Sequence, residues 1–315
     1  MRKFLATAVD LAKQTFKEYS ADKAPRLGAA LSYYTVFSLA PVLVLVISIA
    51  GLVFGNDAAQ GRIVGQLQGL IGREAAQVVQ TMLAKASDRG SGIISTVVGF
   101  VMLLVGATGV LIELQSAINT VWKVAPRPGG GLKAILHERL LSFGLILSFG
   151  FILLVSLLLS ALLAGMGGMM SRLIPGWVVF GYLLNYAVAL GLMTALIATI
   201  YKILPDVRIA WRDVWVGALA TSILFQIGKF AIGLYVGKAS VGSPFGAAGS
   251  LAVLLVWVYY SSQIILLGAE FTRVSAMKRG ARIEPTAHAV LVDTSVEGFK
   301  AAPPPNAQPE LGRPR

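Results

Sequence analysis

Cysteine is absent from this chain, and histidine occurs only at His137 and His288. The first absence excludes a disulfide framework and any thiolate metal site, and the second leaves too few ligands for most zinc or iron chemistry. Charge is scarce as well. Asp, Glu, Lys and Arg make up 13% of the 315 residues, against about a quarter in a typical soluble domain. The glycine-rich stretch "APRPGGGLK" lacks the Gly-Lys-Ser/Thr ending that supplies a phosphate loop with its lysine and magnesium ligand, so it reads as a flexible connection. Neither metal catalysis nor nucleotide-driven chemistry has residues to support it. No cofactor, no metal and no catalytic residue is expected.

Apolar sequence is abundant: 56% of residues are hydrophobic and the mean hydropathy is +0.74. About twenty apolar residues in a helix cross about 30 Å of hydrocarbon. Six such segments are present, running approximately from Leu27 to Phe54, Gly92 to Trp122, Leu140 to Ala164, Trp177 to Leu204, Val214 to Val236 and Ala247 to Val274. The expected fold is therefore all-α, a polytopic membrane bundle of about six transmembrane helices spanning residues 27–275.

The net charge of +12 is unevenly placed. Twenty of the 27 Lys and Arg residues lie in the N-terminal segment through Arg26, the loops around Lys123 to Arg139 and Lys202 to Arg212, and the tail from Arg273 onward. The positive-inside rule then puts both termini of the multi-pass chain on the cytoplasmic side of the membrane. The excess charge is mainly a topology signal, with attraction to anionic headgroups as a second effect. Membrane lipids are the expected partners and nucleic acid is not; nothing in the residues sets an oligomeric state.

Residues 1–26 carry Asp10 and Lys13 within their apolar stretch, which disfavours a cleavable signal peptide. Phe4, Leu5, Ala8, Val9, Ala12, Phe16 and Tyr19 keep helical spacing, so this segment is expected to be a cytoplasmic interfacial amphipathic helix. The external loop 56–90 repeats the pattern twice, with Ile63, Leu67, Leu70 and Ile71 on one apolar face and Ala75, Val78, Val79, Met82 and Leu83 on another. Two short helices are expected there, packed on the end of the bundle or serving as a lid. Residues 276–315 turn polar and Pro-rich and are expected to be a largely disordered cytoplasmic tail. No internal duplication is evident.

Polar residues inside the spans are the candidate functional groups. Gly99, Gly106, Gly109, Glu113, Ser116 and Thr120 share one face of the second span. The fifth span carries Ser222, Gln226, Lys229 and Gly233, the sixth Tyr259, Gln263 and Glu270, and the first Gly28, Ser32 and Thr35. Glu113 lies about 14 Å inside the boundary at Trp122, taking about 1.5 Å per residue, where an unpaired carboxylate costs about 2.5 kcal/mol or more. Glu270 is one turn from the boundary at Arg273, where it either pairs with that arginine or another base, or lines an inner mouth. Lys229 is placed in the outer half and can snorkel outward. Tyr34 and Tyr259 sit too deep for an interfacial belt, and each hydroxyl needs a partner. Pro41 is expected to kink the first span.

Two stretches, "RLGAALSYYTVFSLAPVLVLVISIAGLVFG" from Arg26 to Gly55 and "SPFGAAGSLAVLLVWVYYSSQIILLGAEFTRV" from Ser243 to Val274, strongly resemble the YihY/virulence factor BrkB family of bacterial inner-membrane proteins. The resemblance implies a six-helix cytoplasmic-membrane protein. It also brings a ribonuclease BN label. A metal-dependent nuclease needs clustered His and Asp ligands and a metal-free one a positioned acid and base beside a phosphate groove, and this chain offers neither. It is not expected to be an enzyme. The leading expectation is a transporter or exporter of a lipid-like or small-molecule substrate, its polar pathway formed by Glu113, Gln226, Lys229, Tyr259, Gln263, Glu270 and Tyr34. The alternative is a non-transporting membrane scaffold or envelope-assembly factor in which the same residues join helices.

Overall fold

A computed structural model describes residues 2–55, 60–61, 63–65, 68, 73–87, 109–127, 155, 177–239 and 247–292. The expected third span, Leu140 to Ala164, lies outside the described residues apart from position 155. The first half of the second span also lies outside them.

Within these limits the chain is mostly helical. Helix α1 spans Arg2–Ala21 and α2 spans Ala24–Phe54. Helix α3 spans Arg73–Ser87, and α4 comprises residues 109–121. Helices α5, α6 and α7 span Trp177–Ile203, Trp211–Ala239 and Ala247–Lys278. Three stretches are long and apolar enough to cross a membrane among the described residues: Tyr186–Ile203, Trp211–Ala231 and Leu254–Lys278. Helix α2 continues through Pro41 without a break in its helical assignment.

Helix α7 is the hub of the fold, packing against α1, α2, α3 and α6, while α5 packs on α6. Its last turn ends at Gly280 in a left-handed conformation, φ 86°. There Ala281 N–H donates to Ala276 O at 3.1 Å and Gly280 N–H to Met277 O at 3.0 Å, a Schellman arrangement that satisfies the terminal carbonyls. Helix-to-helix closeness depends on absent side chains: a Cβ on Gly268 would stand 1.9 Å from Thr221 Oγ1 and 2.5 Å from the Tyr201 hydroxyl. Tyr201 fills that space, donating to the Ile265 carbonyl at 2.6 Å and lying 3.1 Å from Thr221 Oγ1.

The all-α expectation needs a correction at one end of the bundle. Strand β1, Val124–Pro126, pairs antiparallel with β2, Ala289–Leu291, in the register Val124↔Leu291, Ala125↔Val290, Pro126↔Ala289. An isolated bridge joins Val207 to Pro285. The tail is thus ordered through Val292, further than its polar composition indicated, because its backbone groups pair with residues 123–127 and 204–209 rather than with water. The residues beyond 292 lie outside the described ones.

The same pairing brings together the segment after α4, the α5–α6 turn and the segment that follows α7. These are among the segments in which the sequence concentrates its basic residues. In α3, Ala76, Val79 and Leu83 are buried, following the apolar spacing of the sequence, and the helix rests on α2 and α7. Leu67, Leu70 and Ile71 of the preceding stretch lie outside the described residues.

Candidate functional site

Helix α1 runs antiparallel to the last four turns of α7, and its contact face is polar. Thr15 is buried and Leu11, Glu18, Tyr19 and Asp22 are half-buried, whereas the apolar Val9 and Phe16 are 52% and 59% exposed. The amphipathic spacing is therefore used in an unusual sense: the charged side seats on α7 and the apolar stripe beside it faces out.

The contacts form a ladder. Lys278 Nζ donates to Asp10 Oδ2 at 2.5 Å. Arg273 Nη2 donates to Glu18 Oε2 at 2.6 Å and to Glu270 Oε2 at 3.0 Å. Lys123, just past α4, is ion-paired with Asp22, and Arg279 reaches Asp213 at 2.6 Å from the N-terminal turn of α6. Among the described residues, all ion pairs lie at this one end of the bundle. The guanidinium hydrogen bond from Arg273 holds the Glu18 carboxyl below its ordinary range, against the opposing effect of partial burial. Lys278 does the same to Asp10 through a hydrogen bond and its charge.

The ladder continues into α2 through Gln263. The Tyr19 hydroxyl donates to Gln263 Oε1, and Gln263 Nε2 donates to the Pro25 carbonyl at 3.4 Å. A Cβ on Gly28 would stand 2.0 Å from Gln263 Nε2, so this amide occupies the space a larger residue would fill. Burial, with a smaller contribution from nearby Tyr259, pushes the Tyr19 hydroxyl up to about 12 and keeps it a donor.

The structure separates the expected pathway residues into two groups. Gln263 and Glu270 belong to the ladder, and Glu270 is fully buried with Arg273 as its cation. Glu113 is half-buried on α4 beside the buried face made by Leu111, Leu114, Ala117, Ile118 and Val121. Tyr34 on α2 is exposed and lies against Gly109, whose added Cβ would be 3.7 Å from the Tyr34 ring. Gln226 and Lys229 on α6 are half-buried, and Tyr259 on α7 is exposed. Among the described residues, Glu113 and Lys229 have no ion-pair partner.

Glu18, Asp22 and Lys123 were not singled out by the sequence, although the four-residue spacing of Glu18 and Asp22 places both on one helical face. Their partners lie about 100 to 255 residues away, as in Lys123 with Asp22 and Arg273 with Glu18.

The sequence matches the Virulence factor BrkB family over residues 15–291. It is 29% identical over 266 residues to a UPF0761 membrane protein of Verminephrobacter eiseniae, covering 82% of this chain and 60% of that one. A UPF0761 membrane protein of Azotobacter vinelandii is 29% identical over 290 residues, 90% of this chain and 67% of its own. One from Pseudomonas aeruginosa is 30% identical over 277 residues, 85% and 63% of the two chains. This chain thus spans about three-fifths to two-thirds of the length of these relatives. No solved structure matches it. The matched range takes in every residue of the ladder except Asp10, and the chain belongs to the Virulence factor BrkB family of membrane proteins.

Proposed function

We propose that this protein is a multi-pass inner-membrane transporter or exporter of a lipid-like or small-molecule substrate, with its pathway between α2, α4, α6 and α7. The observation that carries this reading is a contrast in pairing. The buried and half-buried carboxylates Glu18, Asp22, Asp213 and Glu270 at the α1 end are ion-paired, whereas the half-buried Glu113 and Lys229, within the expected second and fifth spans, have no ion-pair partner among the described residues. An ionisable group kept at that depth is costly unless it meets a substrate, an ion or water. Glu113 is the proton- or cation-sensitive group of the pathway, Lys229 and Gln226 lie toward its outer mouth, and Tyr34 and Tyr259 line it. Drive comes from an ion gradient or from the substrate's own gradient, and no enzymatic step is part of the cycle.

Topology enters the same proposal: six spans, both termini cytoplasmic, and the basic α1 end at the anionic inner leaflet. Native mass spectrometry of the detergent-purified protein beside folded Glu113→Ala tests the pathway. A discrete lipid or small molecule bound to the first and missing from the second is expected, and a flux assay in vesicles follows from its identity. Identical spectra without a bound ligand would sink the pathway reading.

The second reading is a membrane scaffold or envelope-assembly factor. It is favoured by the outward apolar stripe of α1 and the tight α6–α7 contact. In that case Glu113→Gln changes stability or partner binding and leaves no flux to lose.

A further inference from the structure

We infer that Asp22 and Glu270 form a carboxyl pair that binds one proton between them, and that release of this proton undocks α1 from α7. The inference does not depend on transport.

Each carboxyl has one oxygen engaged and one free. Arg273 donates twice to Glu270 Oε2, through Nε at 3.3 Å and Nη2 at 3.0 Å. Lys123 is paired with Asp22 Oδ1. Glu270 Oε1 and Asp22 Oδ2 meet no donor, although the side chains are 0% and 5% exposed. Asp22 is the one other carboxyl that acts directly on Glu270 among the described residues. Two ionised carboxylates can only accept, so their contact is repulsive and leaves both oxygens unsatisfied. One proton turns one carboxyl into a donor and satisfies both orphans at once.

The local charge count agrees. Glu18 and Asp22 come from α1, Glu270 and Arg273 from α7, and Lys123 from the segment after α4. Among the described residues, α2, α3, α5 and α6 bring no further charge to Glu270. Three carboxylates then face two cations, and one bound proton makes the buried group neutral. A metal ion fits less well: among the described residues no group of three or more His, Cys, Asp or Glu is placed to hold one. The remaining oxygens of the pair are already taken by Arg273 and Lys123.

Loss of the proton puts two like charges against each other where water does not screen them. Separation of the helices relieves that repulsion. The other α1 contacts are the weaker kind, since Glu18 and Lys278 are each partly exposed and Asp10 is largely so. Lys23 supplies the joint, with a left-handed φ of 53° between α1 and α2.

The test uses the full chain in lipid nanodiscs. Infrared difference spectroscopy at neutral pH is expected to show a carboxylic-acid C=O band that shifts in heavy water and is absent from both Asp22→Asn and Glu270→Gln. Because the chain has no cysteine, spin labels can be placed only where wanted, at the exposed positions of Val9→Cys and Met277→Cys. Their separation is expected to lengthen as pH rises in the otherwise native chain, and to stay at its neutral-pH value when Asp22→Asn is added. No such band in the native chain, or a band that survives in both variants, overturns the inference. So does a label distance that ignores pH or responds equally in Asp22→Asn. A contact held by sodium at neutral pH with no carboxylic-acid band would assign the pair to a cation and equally overturn it.

Discussion

Asn119 and Asp206 exchange two hydrogen bonds across 87 residues of chain. Asn119 Nδ2 donates to Asp206 Oδ2 at 2.8 Å, and the Asp206 backbone N–H donates back to Asn119 Oδ1 at 2.9 Å. The Asp206 carbonyl in turn accepts from Thr286 N–H at 2.9 Å. One residue pair therefore links the end of α4, the α5–α6 turn and the segment leading into β2.

Removing that link should be felt at once. Asn119→Ala is expected to lower stability by about 1–3 kcal/mol, because it leaves the Asp206 backbone N–H without its acceptor and the Asp206 carboxylate oxygen with only the 3.4 Å hydrogen bond from Gln115 Nε2. Asp206→Asn keeps both geometries and should cost less. Thermal unfolding in detergent reads the difference; equal midpoints for Asn119→Ala and the native chain would remove this pair from the forces holding these three segments together.

Arg273 makes a sharper case, since it serves Glu270 and Glu18 together. Arg273→Met should destabilise by about 3–5 kcal/mol by stranding a buried carboxylate. Adding Glu270→Met to it should restore most of the loss, because two apolar side chains of similar size avoid the desolvation that the ion pair had to offset. If the double variant is as unstable as the single one, Arg273 acts through something other than Glu270.

Acid should loosen α1 through Glu18. Its carboxyl is held below the ordinary 4.5, chiefly by the Arg273 hydrogen bond. A depressed folded-state pKa stabilises above the unfolded value, and the contribution disappears as pH falls through the folded one. The stability gap between the native chain and Glu18→Gln should thus be full at neutral pH and shrink below about pH 4.5. A gap that is constant from neutral to acid pH would contradict this.

Gly268 tests the packing between α6 and α7. Gly268→Ala places a methyl 1.9 Å from Thr221 Oγ1, an overlap expected to cost about 1–3 kcal/mol. Thr221→Ala introduced with it should recover part of the loss by opening that space. Greater stability of Gly268→Ala alone would mean that the helices part more easily than their contacts indicate.

Topology can be read with single cysteines in intact cells. Arg208→Cys, in the turn between α5 and α6, should stay unreactive toward a membrane-impermeant maleimide, and Gln68→Cys, in the expected external loop, should react. Both positions are exposed. The reverse pattern would invert the orientation inferred from the basic loops.

Four of the helices were legible because hydrocarbon demands long apolar runs: α2, α5, α6 and α7 lie where runs of that length stand in the sequence, and three of them, α5, α6 and α7, hold stretches long and apolar enough to cross a membrane. The face of α3 was legible too, since Val79 and Leu83 keep a four-residue spacing and both are buried. Glu270 with Arg273 was within reach as a local pair at three residues. The charges of α1 were not. On an amphipathic helix Glu18 and Asp22 carry the same signal whether they face water or a distant arginine, and nothing local distinguishes the two. Nor could β1 and β2 be seen, because strands of three residues show no period and owe their existence to each other.

The ladder between α1 and α7 also constrains how the molecule comes to be made. Helix α1 leaves the ribosome well before α7: Arg273 and Lys278 are translated about 250 residues later, well over ten seconds at the usual pace of about 5–20 residues per second. Throughout that interval Asp10, Glu18 and Asp22 have no α7 to meet, and the outward stripe of Val9 and Phe16 can rest on the bilayer surface. Arrival of α7 is therefore the event that seats α1, and a chain truncated before Arg273 would leave α1 permanently unclaimed, a visible mark by which a cell's proteases can tell unfinished copies from finished ones.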